Sequence, residues 1–290
     1  MRRGIGGMGL AAVLCAAAIP ASSQTLDQQC QGSDGYAASF DGRRTFLWRP
    51  DWLRAARARV TAPGAQDPAF VALIQTADAA LERAPYTVVD KRQTPASGDK
   101  HDYMSMGPYW WPDRTKPGGV PYVRRDGQVN PERSTDAFDL TDLNDLSRDV
   151  EALSMAYYFT GDDRYASKAG EMIRVWFLAP ETRMNPNLNH GQAVRGRVSG
   201  RAEGVIDVFR MVPIVESVGL LQTSAALSPD EHLALRDWFA DLVQWMATSP
   251  IGREERAAEN NHGVYYDLLI SQFSLFAGLD DVTRAITERF

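Results

Sequence analysis

Three adjacent residues, Asn260-Asn261-His262, set two amides and an imidazole side by side, just ahead of a run of aromatic and aliphatic side chains. An amide N–H binds a carboxylate or the oxyanion that develops beside it, and a neutral imidazole accepts a proton near neutral pH. Together they suit abstraction of a proton α to a carboxylate. The same tripeptide equally suits a helix start, with an Asn as the N-cap and the His in the first turn. The spacing alone leaves both readings open.

Two other segments concentrate groups that could meet a polar ligand. Residues 102–113 read Asp-Tyr-Met-Ser-Met-Gly-Pro-Tyr-Trp-Trp-Pro-Asp. Adjacent Trp110 and Trp111 on a Pro-braced loop offer flat apolar faces for sugar rings, with Tyr and Asp for the hydroxyls. The loop could equally cover the core with its Trp side chains buried. Residues 185–192 read Asn-Pro-Asn-Leu-Asn-His-Gly-Gln and are followed by Arg195, Arg197 and Arg201. Amides and guanidinium groups at this density suit a hydroxylated, carboxylated ligand, because Arg forms bidentate bonds to a carboxylate. Asn in turns and Arg in solvent is the alternative. No HExxH, Cys/His zinc cluster, phosphate-binding glycine loop or GxSxG elbow is present. Nothing in the sequence calls for a metal or a cofactor.

The elements that must position these groups follow a helical period. Leu143, Leu146, Val150, Leu153 and Tyr157 share one face of a helix over Thr141–Phe159, and Gly161 ends it. Ala169, Met172, Ile173 and Trp176 mark a second helix over Arg164–Phe177, giving an antiparallel hairpin. Ser228-Pro229-Asp230-Glu231 is an N-cap, first-turn Pro and capping-box Glu. A helix from Gly204 to Leu221 is expected to kink at Pro213. Further helices are expected over Pro50–Val60, Asp67–Arg83 and Val264–Phe276. No run of alternating residues predicts a strand. The fold class is all-α, a single domain of helical hairpins joined by two long loops, Tyr86–Asp139 and Thr182–Arg201; loops of this length carry function or are disordered, and the aromatic content of the first argues against disorder there.

Bulk properties bound the rest. Arg2-Arg3, an apolar stretch over Ile5–Ile19 and the small residues Ala21-Ser22-Ser23 describe a signal peptide cleaved after Ser23, so the protein is expected in the periplasm or outside the cell. Residues 24–290 then form the folded domain, with Cys30 as its single cysteine and no internal disulfide. The chain carries 31 Lys and Arg against 37 Asp and Glu, a net charge of −6. That balance argues against nucleic acid as a partner. No segment after the leader is long and apolar enough to span a membrane.

Taken together, Tyr103–Asp113, Asn185–Asn189 and Asn260-Asn261-His262-Gly263 resemble the alginate lyase superfamily of polysaccharide lyases, over about Asp102 to the C-terminus. The resemblance implies an (α/α) toroid, or an incomplete barrel, with a cleft. It implies β-elimination on an anionic uronic-acid polysaccharide, alginate or glucuronan. It gives Asn261 and His262 the role of neutralising the uronate carboxylate, while a Tyr or His removes the C5 proton and a Tyr protonates the leaving oxygen. It points to Tyr103, Trp110, Trp111, Asn187, Asn189, His190, Gln192 and Arg201 as substrate-binding residues, and to Asn260 as a cap. The family's further Arg and Tyr lie some fifty residues past the Asn-His pair, so a C-terminally truncated domain is expected. Tyr265 and Tyr266 read as packing residues. The competing functions are a noncatalytic glycan-binding protein and a toroidal glycoside hydrolase.

Overall fold

Helix caps written in the sequence become the joints of the fold in a computed structural model, which describes residues 40–289. The expected leader, its cleavage after Ser23, and Cys30 lie outside these residues. Asp67 caps α2 (Pro68–Leu81), after α1 (Pro50–Val60). The apolar stripe read from the sequence runs along α3 (Leu140–Thr160), where Leu143, Leu146, Val150 and Leu153 are fully buried. Gly161 closes α3 in the left-handed region, φ 76°, where a Cβ would be strained. Asp162 then caps α4 (Asp163–Phe177), which packs back on α3 with Met172, Ile173 and Trp176 inside.

The helix expected over Gly204–Leu221 is two elements. A 3-10 segment, Ala202–Met211, leads into α5 (Val212–Leu221), with Pro213 in the first turn of α5. Pro213 has no N–H to donate back to the preceding turn, so a continuous helix stops there. Ser228 and Glu231 form the expected capping box of α6 (Pro229–Thr248). After α7 (Pro250–Arg256), the chain turns into α8 (Asn261–Ala277) and α9 (Asp280–Thr287). The core between α4, α6 and α8 is aromatic. Phe177 meets Trp238 at 4.8 Å between centroids, and Phe239 meets Phe273 at 5.0 Å and Phe276 at 5.1 Å. Edge-on and tilted ring pairs of this kind add to the burial of apolar surface.

Short strands, absent from the sequence reading, organise the two long loops. β1 (Met104–Met106) pairs in parallel with β4 (His190–Ala193). β2 (Trp110–Trp111) pairs antiparallel with β3 (Val123–Arg124). Segments of two to four residues are too short to show a period of two, and the β1–β4 pairing joins loops some eighty residues apart. That pairing brings the aromatic loop and the Asn-rich loop to the same place.

Candidate active site

The Asn260-Asn261-His262 motif occupies the start of α8, where Asn260 takes the capping role. Asn260 is the N-cap, its side-chain oxygen accepting the His262 N–H at 2.8 Å. Asn261 is the first helical residue and is exposed. Gly263 lets the helix start close against the turn that follows α7, since a Cβ there would stand 2.2 Å from the Ala258 carbonyl oxygen.

His262 is gripped from below. Its Nδ1 lies 2.6 Å from Oε1 of Glu255, a buried residue of α7. A carboxylate there fixes the ring orientation and leaves Nε2 outside that contact. Burial pushes the Glu255 carboxyl above the usual carboxylate range, while the bond from His262 pulls it down; Glu203 raises it and Arg201 lowers it. The 3-10 segment carries these two residues past α7 and α8, both of which it contacts.

Arg201 links this pair to the Asn-rich loop. Its Nη1 donates to Glu203 at 2.6 Å, its Nη2 to the Gln192 Oε1 at 2.8 Å, and its Nε to the Gln192 carbonyl at 3.1 Å. Gln192 adopts a left-handed backbone, φ 48°, which only a held non-glycine residue sustains. What holds it is a buried network. The Gln192 Nε2 donates to the Glu203 carbonyl at 2.9 Å and to Asp207 at 3.2 Å, and its N–H donates to Ser105 Oγ at 2.7 Å. Ser105 and Tyr103 in turn donate to Asp207. Asp207 is buried, and desolvation raises its carboxyl above the ordinary value against these hydrogen bonds.

The residues expected to bind substrate divide into those at this centre and those elsewhere. Gln192 and Arg201 bond each other and Glu203, and Arg201 and Glu203 act through space on Glu255, which holds His262; Trp110 and Arg201 flank Gly107, where a Cβ would come within 2.7 Å and 3.2 Å of them. Trp110 and Trp111 are half-buried, under the guanidinium groups of Arg197 and Arg125 at 5.2 Å and 5.5 Å. Tyr103 is a correction: it is fully buried, with its hydroxyl on Asp207, so its ring supports the site from the core and walls no subsite. Asn187 donates to Asp102 at 3.0 Å, beside Asn185 at 2.9 Å. His190 is also buried, its Nε2 3.6 Å from Asp102. Asn189 is exposed and accepts from Trp245 Nε1 at 3.0 Å. Asp102 thus gathers Asn187 and His190 into a loop-bracing cluster. Glu255, Glu203 and Asp207 carry no motif in the sequence; only their burial and partners single them out. Among the described residues no group of three or more His, Cys, Asp or Glu is arranged to hold a metal ion.

Comparison with known proteins decides the lineage. The alginate lyase family profile matches residues 87–290. The chain belongs to the alginate lyase family. The crystal structure of an alginate lyase from Bacteroides ovatus is 42% identical and superposes with a TM-score of 0.81, over 86% of this chain and 65% of that one. The chain therefore spans just under two thirds of that family member's length. No curated protein matches. Within the family frame, Tyr266 is a packing residue, buried with its hydroxyl donating to the Met246 carbonyl at 3.1 Å. Tyr265 is half-buried, edge-on to Phe209 at 5.2 Å, and borders a cavity of about 410 Å³ beside Gln192.

Proposed function

We propose that the protein is an exported polysaccharide lyase that cleaves a uronic-acid polymer, alginate or glucuronan, by β-elimination within an (α/α) toroid. The observation that carries this reading is the fixed imidazole of His262, held at Nδ1 by buried Glu255 beside the exposed Asn261 amide. A uronate carboxylate is met at His262 Nε2 by the ring that Glu255 orients, with the Asn261 amide donating to it alongside. Neutralising the carboxylate lets charge spread into it as the C5–H bond breaks. A Tyr or His base, the role the family resemblance implies, takes the C5 proton; the C5 electron pair forms the C4–C5 double bond, the C4–O bond breaks, and a Tyr hydroxyl gives the leaving oxygen its proton. Arg201 adds positive charge near the same carboxylate, and Trp110 supplies a ring for a neighbouring sugar to stack on.

The test is ultraviolet absorbance from the new double bond on alginate and glucuronan. Wild-type protein is expected to generate it, and His262→Ala to lower the rate about 100-fold or more, the usual contribution of a positioned group that stabilises developing negative charge. Saturated products, or equal rates for wild type and His262→Ala, would overturn the proposal. Binding of the polymers with no double bond formed would instead support a noncatalytic glycan-binding protein.

A further inference from the structure

At the end of the α6–α8 pair remote from His262 lies a cavity of about 310 Å³, bordered by Arg44, Phe46, His232, Leu233, Arg236 and Phe276. Phe276 is fourteen residues past His262 on α8, about 21 Å along the axis at ~1.5 Å per residue, so this cavity is separate from the centre described above. Its lining holds two guanidinium groups and an imidazole but no carboxylate. Elsewhere Arg side chains are taken up by acids, as in Arg201 with Glu203 and Arg148 with Asp149. Glu231, next to His232 in the chain, is already committed to Arg174 and to the Ser228 N–H. Among the described residues Arg236 has no ion pair and no hydrogen bond through its side chain. Arg44 is buried and held from behind. Its carbonyl oxygen would stand 1.7 Å from a Cβ on Gly219, and Glu216 fixes the next turn of chain by accepting the N–H groups of Phe46, Leu47 and Trp48. The Arg44 guanidinium lies over the Phe46 ring at 4.7 Å.

The rest of the lining suits a ring that carries hydroxyls. Phe46 and Phe276 meet edge-on, 6.4 Å between centroids, and with the exposed Leu233 they give apolar surface to a ring face. Gln222, exposed at the rim, offers amide donors and an acceptor. Burial holds the His232 imidazole below its ordinary value against the pull of Glu231, so near neutral pH it is an uncharged partner for a hydroxyl. The volume falls in the range of small-ligand sites, roughly 300–1,000 Å³. A bare phosphate would leave the apolar side unused, and a neutral sugar would leave Arg236 without a counter-charge. We propose that this cavity binds a sugar acid of one-monosaccharide size, its carboxylate on Arg236 and Arg44 and its ring face against Phe46 and Phe276. The site goes beyond the lyase reading and does not depend on it.

Calorimetry on the full chain with D-glucuronate, D-glucose and inorganic phosphate tests the site. Wild type is expected to bind D-glucuronate saturably and the other two about tenfold more weakly or not at all. Arg236→Gln should weaken D-glucuronate about tenfold, the scale of one charge-assisted hydrogen bond, and His262→Ala should leave that affinity unchanged. Leu233→Trp places bulk at an exposed position of the rim and should weaken D-glucuronate as well, which keeps the test decisive even if Arg236→Gln lowers stability. Absence of saturable D-glucuronate binding, or equal affinity in wild type, Arg236→Gln and Leu233→Trp, would overturn the site. So would phosphate or glucose binding as tightly as D-glucuronate, or loss of D-glucuronate binding in His262→Ala, which would move the ligand to the start of α8.

Discussion

Lys91→Met should be the most damaging single substitution outside the site, and its cost should depend on pH. Lys91 and Asp139 are both fully buried at the side chain and stand 3.1 Å apart. Lys91 also donates to the Val88 carbonyl at 2.5 Å and the Lys100 carbonyl at 2.7 Å. Asp139 accepts the Met104 N–H at 2.7 Å, which anchors β1 and so the β1–β4 pairing that carries Gln192. Burial raises the Asp139 carboxyl from 3.8 to about 7, and burial lowers Lys91 from its ordinary value against the pull of Asp139. Removing the Lys strands a buried carboxylate and two buried carbonyls, a loss of about 3–5 kcal/mol for a broken buried pair. For a domain of this size that is roughly 6–20 °C in Tm. The folded-state carboxyl is raised, so the folded state favours the protonated acid. Its contribution to stability is full below the unfolded value near 3.8 and is lost as pH rises through about 7. Without Lys91 the carboxyl rises further, so the deficit against wild type should be larger at pH 8 than at pH 5. Lys91→Met/Asp139→Asn removes both charges and should recover most of the loss. Thermal melts of the three proteins at both pH values check this. A loss under about 1 kcal/mol at pH 8, or a deficit larger at pH 5, would refute the reasoning.

Other perturbations probe the site and its supports. Glu255→Gln keeps an acceptor beside His262 Nδ1 but removes its charge; given about 1.5–3 kcal/mol for a charge-assisted bond, elimination should slow about 10- to 100-fold. Nitrogen NMR of the His262 ring should show a changed tautomer balance in that variant; an unaltered rate and ring spectrum would remove Glu255 from the mechanism. Gly219→Ala should lower stability by about 1–3 kcal/mol or more, because a Cβ on α5 would stand 1.7 Å from the Arg44 carbonyl oxygen. Chemical denaturation reads that loss, and an unchanged midpoint would mean that the segment before α1 yields freely. That segment is expected to resist, since Glu216 on α5 accepts the backbone N–H groups of Phe46, Leu47 and Trp48 at 3.0–3.2 Å.

Sequence alone determined the features whose cause is local. The stripe along α3, the Gly161 stop and the Ser228–Glu231 box depend on residues within one or two turns of each other, so their spacing is their signature. The helix start in the Asn-His motif was legible for the same reason, and Asn260 is the cap that the sequence offered. Only the tertiary structure decided what depends on neighbours far along the chain. Tyr103 looked like a cleft aromatic, yet the Ser105–Asp207 network draws it into the core from more than a hundred residues away. The short β1–β4 pairing left no period to read. Glu255 and Asp207 are ordinary charged residues in the sequence, and burial and partnership alone distinguish them, because desolvation acts on where a charge ends up and leaves no trace in its spacing.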